Sequence, residues 1–288
     1  MVWRIFSSVF LLVSISVSAH ALDAKTAYYG REVFESKFQG IQPGGQNLKD
    51  ILYLVLSGSH TTIKGDYDKI ANTCWPGGGN CYRHTAIGYK KAREFLFGEF
   101  YLVKSGRDYG VKDVYCQRVA NASEFPGEKP GPNVIPDHRT INAEHTWPQS
   151  QFSSGFPGED QKSDVHHLYP TDSQMNSKRS SFGFGEVVRD SEPLKCSEAR
   201  LGLPREGGQP VFEPPTVHKG NVARALFYFS TRYKMSIPKE EEQTLRVWHR
   251  EDPVDAEEVA RNERTFQLQK NRNPFVDFPE LADRIRDF

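Results

Sequence analysis

The chain has only four cysteines and three methionines, and neither sign of charge exceeds the other: 37 basic residues balance 37 acidic ones. The even balance argues against a protein that coats nucleic acid through bulk charge, but it leaves room for a few cations placed at one cleft. Four cysteines fit an oxidising compartment and permit three pairings, and Cys74, Cys81, Cys116 and Cys196 lack the close CxxC pairs of a structural zinc site. Cys74 and Cys81 bracket a Trp-Pro-Gly-Gly-Gly-Asn turn, which predicts a Cys74–Cys81 disulfide and leaves Cys116 for Cys196. There is no internal repeat and no long low-complexity tract. Long apolar runs are also missing, apart from Ile5 to Val17 behind Arg4. That run is shorter than the roughly 20 residues a membrane span needs. Followed by Ala19-His20-Ala21, it reads as a secretory signal over residues 1–21. Removing Arg4 from 37 basic residues against 37 acidic leaves a net charge of −1. The expectation is an exported chain, periplasmic or secreted, with residues 22–288 forming a single domain, no membrane partner, no protein partner and a monomeric state.

Periodicity predicts an α+β fold in which helices dominate. Leu48, Ile51, Leu52 and Val55 fall at helical spacing over Asn47 to Leu56, and Ala86 to Phe97 reads as a second helix. Lys112 to Val119 suggests a strand, and the Pro- and Gly-rich residues 124–139 lead as a loop into Thr140–His145. Thr171-x-x-Gln174 has the spacing of a capping box ahead of a helix over Ser173–Ser181. Asn221 is expected to cap a helix running to about Tyr233, and Asp252-Pro253 to open a last long helix ending near Gln269.

Polar residues of catalytic type concentrate between 142 and 179: Glu144, His145, Asp164, His166, His167, Asn176, Lys178 and Arg179. Together they offer what hydrolysis of a phosphodiester requires: a base for water, oxygen ligands for a hard cation and donors for the phosphate. Histidine suits the base because its ordinary pKa lies near neutrality. Glu144 and Asn176 would form the sparse oxygen site that magnesium takes. Asn176 and Arg179, three apart on one helix, share a face, so Arg179 could meet a phosphate bound there. Glu144 and His145 are neighbours on a strand and reach one cleft only if the strand ends there, which Pro148 permits. His166 and His167 alternate along a strand-like segment, and His167 is the one expected to face the cleft.

In this order, Asn142-Ala143-Glu144-His145-Thr146-Trp147-Pro148-Gln149-Ser150, Asp164-x-His166-His167-Leu168-x-Pro170 and Asn176-x-x-Arg179 resemble the bacterial endonuclease I family of exported nucleases. The resemblance continues through Phe182–Val187, Lys219–Ala225, Trp248-His249 with Asp252-Pro253-Val254, and Asn271–Phe275. It implies a small ββα-metal (His-Me finger) core and a metal-dependent endonuclease of little sequence specificity, acting on DNA and/or RNA and leaving 5′-phosphate ends. His145 is then the general base, Glu144 and Asn176 the ligands of magnesium (or manganese or calcium), and Arg179 a phosphate-binding or helix-bracing residue. His167 stands where family members carry Asn or His. Periplasmic members hold the product phosphate with an arginine in a Cys-containing insert, but the corresponding Gln151–Ser163 has neither residue. That cation must come from elsewhere, with Arg179, Arg139 and Lys178 as candidates. The Trp-His and Asn-Arg-Asn-Pro-Phe motifs are expected to brace the site. Two other readings remain at this stage: a zinc phosphoesterase built on Asp164, His166, His167 and His145, and a non-catalytic, disulfide-stabilised binding module.

Overall fold

The computed structural model describes residues 22–31, 46–205 and 207–288. The expected signal segment lies outside them. Among the described residues, no helix is long and apolar enough to cross a membrane.

Helices and small antiparallel sheets alternate along the chain. Helix α1 (Gln46–Ser57) matches its periodicity and buries Leu48, Leu52, Val55 and Leu56. Helix α2 (Tyr89–Phe95) begins three residues later than Ala86, because Gly88 takes a left-handed φ of 79° at its N-terminus. A π-turn over Leu96–Phe100 continues it. The strand expected over Lys112–Val119 is instead a hairpin. Strands β1 (Leu102–Ser105), β2 (Asp108–Asp113) and β3 (Arg118–Asn121) form an antiparallel sheet, and the chain reverses between the last two. Asp113 Oδ1 draws that reversal in by accepting the backbone N–H groups of Tyr115 and Cys116, each at 3.1 Å.

Strand β4 (Ile141–His145) pairs antiparallel with β5 (Leu168–Asp172), placing Glu144 opposite Tyr169 and His145 opposite Leu168. Helix α3 (Ser173–Arg179) follows at once. Its cap is Asp172, which accepts from Gln174 N and Met175 N, and not the Thr171 box expected from sequence. The segment before β5 is a 3₁₀ turn over Val165–His167, not a strand, because the Asp164 side chain accepts His166 N.

Helix α4 (Lys219–Arg232) runs through the middle of the core with nearly every residue buried. It starts two residues before Asn221, and its free N-terminus is capped from a distance by Asp252, which accepts Gly220 N at 2.8 Å. Helix α5 (Lys239–Glu251), which the sequence reading leaves unnamed, packs beside it. Helix α6 (Ala256–Gln269) opens at Asp255, whose side chain accepts Glu258 N, and not at Asp252. One apolar cluster joins α1, α4 and α5 with Trp147, Phe184 and Phe212. A second joins α2 and the β1–β3 sheet to Ile141, Val165 and Leu168.

Both expected disulfides form, Cys74–Cys81 and Cys116–Cys196, with Cα separations of 5.7 and 5.0 Å. The second closes a sequence separation of 80 residues against 7 for the first. A long closed loop removes more entropy from the unfolded chain, so replacing Cys116 and Cys196 by serine is expected to cost ~3–5 kcal/mol. The Cys74/Cys81 pair should cost visibly less. Urea melts of the two double variants read the order directly, and the reverse order would count against this account.

Candidate active site

The β4–β5–α3 unit gathers the residues that the sequence singles out. Asn142 and Glu144 alternate onto one face of β4. Asn176, one helical turn into α3, donates its amide Nδ2 to Asn142 Oδ1 at 2.7 Å, which leaves its own carbonyl oxygen available. Glu144 is 2% exposed. Its Oε1 accepts the Tyr115 hydroxyl at 3.0 Å and lies 2.9 Å from Arg179 Nη1, while Oε2 takes no donor from the described residues. Burial raises the Glu144 pKa against the opposing pull of Arg179 and Tyr115.

Arg179 is itself 2% exposed, and its guanidinium is committed to the protein. Nη1 donates to the His145 carbonyl at 2.9 Å, Nη2 to the Thr146 carbonyl at 2.5 Å, and the Phe184 ring lies 4.5 Å below. The residue after a strand end leaves carbonyls without ladder partners, and Arg179 satisfies two of them. It therefore braces the end of β4 from α3.

His145 ends the strand, and its neighbours differ from those of Glu144. Its Nε2 lies 3.1 Å from the Lys162 carbonyl. A carbonyl only accepts, so Nε2 carries the proton and Nδ1 presents the lone pair, with the Gln149 amide nitrogen 3.3 Å away. Burial, then the nearby His167, pushes the His145 pKa down to about 3, so the imidazole is neutral at pH 7.

His167 is fully buried and does not open onto a cleft. Its ring lies 5.3 Å from that of His145 and 4.5 Å from Phe229, and Nε2 donates to the Gln161 carbonyl at 2.7 Å. His166 turns the other way, donating to the Asn271 carbonyl at 3.2 Å. Asp164 is the hub beneath both. It accepts the Tyr228 and Tyr233 hydroxyls at 2.8 and 2.9 Å and the Gln269 amide at 2.7 Å. Asn271 bonds Tyr228 and Gln269 in turn, and Asn273 reaches the Arg224 carbonyl at 3.0 Å. The Asn271–Phe275 motif thus holds the turn that carries His166 and His167. Trp248 is fully buried and donates to Glu186, and His249 donates to the Pro279 carbonyl.

Lys178 grips both oxygens of Glu192 at 2.8 and 2.7 Å, and Arg139 forms a fork with Asp137. Both pairs are exposed, so each holds its cation only weakly. Sequence spacing missed a third cationic feature. The Tyr89 ring, 5.5 Å from His145, has Arg93 4.7 Å and Lys162 4.8 Å from its centre. Among the described residues neither cation has a carboxylate partner. Tyr89 and Arg93 are one helical turn apart, but Lys162 ends the short helix Gly158–Lys162 far along the chain, so only the fold brings the three together.

The zinc reading needs several of Asp164, His166, His167 and His145 around one point. Among the described residues the only cluster with that geometry is Asp113, Cys116 and Asp172. The Cys116 sulfur is in a disulfide, and Asp172 is bound by Lys195 at 2.6 Å, so neither is free to ligate.

Several histidines are buried as neutral rings. Burial holds His166 and His218 down to about 3 and His249 to about 4. Their folded pKa values lie below the unfolded one, near 6.5, so the unfolded chain binds more protons between those limits. Their contribution is complete above about pH 6.5 and falls as pH drops through that window. Glu144 and Glu258, raised by burial, act in the opposite sense at the acid end. Thermal melts should show Tm lower at pH 4.5 than at pH 7.5 by roughly 5 °C or more. A flat or rising Tm toward acid would contradict this assignment.

A profile of the Endonuclease I family matches residues 79–280, well over half of the chain. An extracellular ribonuclease of Bacillus subtilis is 36% identical over 165 residues, 50% of this chain and 53% of the relative. An extracellular deoxyribonuclease of Aeromonas hydrophila is 29% identical over 114 residues, 40% of this chain and 48% of the relative. Endonuclease-1 of Buchnera aphidicola (subspecies Acyrthosiphon pisum) is 28% identical over 115 residues, 40% and 44% of the two chains. This chain spans about half the length of the curated relatives it matches. The profile match extends from the Cys74–Cys81 loop to beyond the Asn271–Phe275 motif and includes every part of β4, β5 and α3. The chain belongs to the Endonuclease I family.

Proposed function

We propose that this chain is an exported, metal-dependent endonuclease that hydrolyses phosphodiesters of DNA and/or RNA, with the β4–β5–α3 unit as a ββα-metal centre. The observation that carries the reading is the state of His145: a buried, neutral ring whose Nε2–H is fixed on the Lys162 carbonyl and whose Nδ1 is left as a base. The position now taken by the Gln149 amide, 3.3 Å from Nδ1, is where an attacking water would be held. His145 takes the proton of that water through Nδ1, and the Lys162 carbonyl stabilises the imidazolium that results.

Glu144 Oε2 and the Asn176 side-chain carbonyl are the oxygens that would hold the cation. Hard neutral and anionic oxygens, few in number, suit magnesium first and manganese or calcium next. The cation would supply charge neutralisation at the departing 3′ oxygen, with 5′-phosphate products. Arg93 and Lys162, flanking Tyr89 beside His145, serve the phosphate, with Lys178 and Arg139 as outer contacts that exchange a carboxylate for it. Arg179 acts behind the site as the brace of β4, and His167 as the ring against which His145 is set. Relatives named extracellular or periplasmic nucleases support export, and the presence of both ribonucleases and deoxyribonucleases among them supports testing both sugars.

Purified protein, supercoiled plasmid and structured RNA, each with magnesium and with EDTA, test the reading. Cutting is expected with magnesium and none with EDTA. Persistent cutting in EDTA at the wild-type rate would overturn the metal assignment.

A further inference from the structure

Behind the end of β4 lies a cavity of about 300 Å³ whose walls include Thr146, Trp147, Arg179, Phe182, Gly183 and Glu241. Its polar groups are not matched to one another. Arg179 Nε and Thr146 Oγ1 are both buried and have no hydrogen-bond partner among the described residues. Buried polar atoms are rarely left this way, and a set of them around one cavity points to a ligand that completes them. Glu241 lines the same cavity. Its Oε1 accepts the Phe184 backbone N–H at 2.7 Å, and it has no ion-pair partner among the described residues. Gly183 lets the chain pass close to that carboxylate: a Cβ there would sit 3.2 Å from Glu241 Oε2. Burial raises the Glu241 pKa against the opposing pull of the Phe184 hydrogen bond and of Arg179.

We infer that this cavity is a nucleobase subsite selective for guanine. The inference rests on the nuclease reading, since it needs a strand whose backbone runs past His145, but it concerns recognition and not cleavage. Among the bases only guanine presents two adjacent donors, N1–H and the N2 amino group, next to an acceptor, O6. A carboxylate takes the two donors together, and the Arg179 and Thr146 groups complement O6. Trp147 and Phe182 supply apolar and aromatic wall for an unstacked base, the form in which single strands expose their edges. The cavity wall is the Thr146–Gln151 segment that leads directly from His145, so a bound guanine sets the register of the strand on the catalytic residues. A guanine at one fixed position relative to the cut is then favoured over a background of low sequence specificity.

Two measurements test this. In the first, the wild-type protein in EDTA is titrated calorimetrically with the 5′-monophosphates of guanosine, adenosine, cytidine and uridine. Guanosine monophosphate is expected to bind at least about tenfold more tightly than the others, the scale of one bidentate base contact. Glu241→Gln preserves size and the bond from Phe184 but replaces an acceptor by a donor, and should erase that preference without lowering Tm. Equal binding of the four nucleotides, or a preference that survives in Glu241→Gln, would overturn the assignment. The second measurement sequences the ends of a random-sequence RNA cut to low extent with magnesium. Guanine enriched at one offset from the cut, and lost in Glu241→Gln, is expected; a flat base distribution would overturn it. Binding in EDTA needs no turnover, so a failure of the nuclease reading would not mimic either titration outcome.

Discussion

His145→Ala is expected to lower the rate of phosphodiester cleavage by ~10²–10⁴-fold, the span of a lost general base. The loss should appear in kcat, because the ring acts on the water and does not grip the substrate. The side chain bonds the Lys162 carbonyl and the Gln149 amide and makes ring contacts with Tyr89, Phe152 and His167. Stability should fall by about 2–3 kcal/mol, for the lost bonds and the cavity that a buried ring leaves. Added imidazole should restore part of the rate in the alanine variant, since the space vacated is bounded by Gln149 and open to a small base. A rate within about tenfold of wild type, below the usual span of a general-base loss, would remove His145 from the chemistry.

Arg179→Met is expected to cost more stability than any other single substitution considered at the site. The substitution leaves Glu144 buried without its cation, and breaking a buried pair in this way costs ~3–5 kcal/mol. It also strips the His145 and Thr146 carbonyls of their donors. Activity should fall with it, even at temperatures where the variant remains folded, because the end of β4 then loses the brace that fixes His145. Lysine should not rescue: a single ammonium cannot span two carbonyls and a carboxylate as the planar guanidinium does. Pairing Arg179→Met with Glu144→Gln should recover part of the stability, since it removes the uncompensated charge, but none of the activity. Chemical melts of the two single variants and the double variant measure the coupling. A loss below about 1 kcal/mol for Arg179→Met would mean that the pair behaves as an exposed one and is no brace.

The structure explains which parts of this site were legible in the sequence. Strand β4 announced itself through Ile141 and Ala143 ahead of a Trp-Pro stop, and α1 through four apolar residues at helical spacing, because each buries an apolar pattern. Helix α5 buries only Leu245, Trp248, His249 and Glu242, and Arg246 pairs with Glu242 on the same helix. It offers no apolar stripe to read. Helix α6 goes further, for its buried face is Glu258, Arg261, Asn262, Thr265 and Gln269. Of these, Glu258 pairs with Arg224, Arg261 donates to the Leu168 carbonyl and Gln269 to Asp164. A polar inner face of this kind is invisible to periodicity and exists only because its partners arrive from elsewhere in the chain. The same holds for the caps: Asp252 lies before a helix in sequence but caps a different one in space.

The site divides in the same way. Spacing alone placed Asn176 and Arg179 on one face of α3; in the structure Arg179 lies against Glu144 and Asn176 against Asn142. It gave no means of telling a phosphate clamp from a brace, since that depends on whether the guanidinium meets solvent or two buried carbonyls. Arg93, Lys162 and Glu241 carried no local signal at all. Each is an ordinary charged residue in sequence, and each becomes notable only because, among the described residues, folding gives it no ion-pair partner.

The central claim is that His145 activates water and not a sugar hydroxyl. It is tested most directly by the chemistry of the ends produced from one oligonucleotide that carries both ribose and deoxyribose sites, cut with magnesium. The account predicts 5′-phosphate and 3′-hydroxyl ends. Termini of 2′,3′-cyclic phosphate would contradict it.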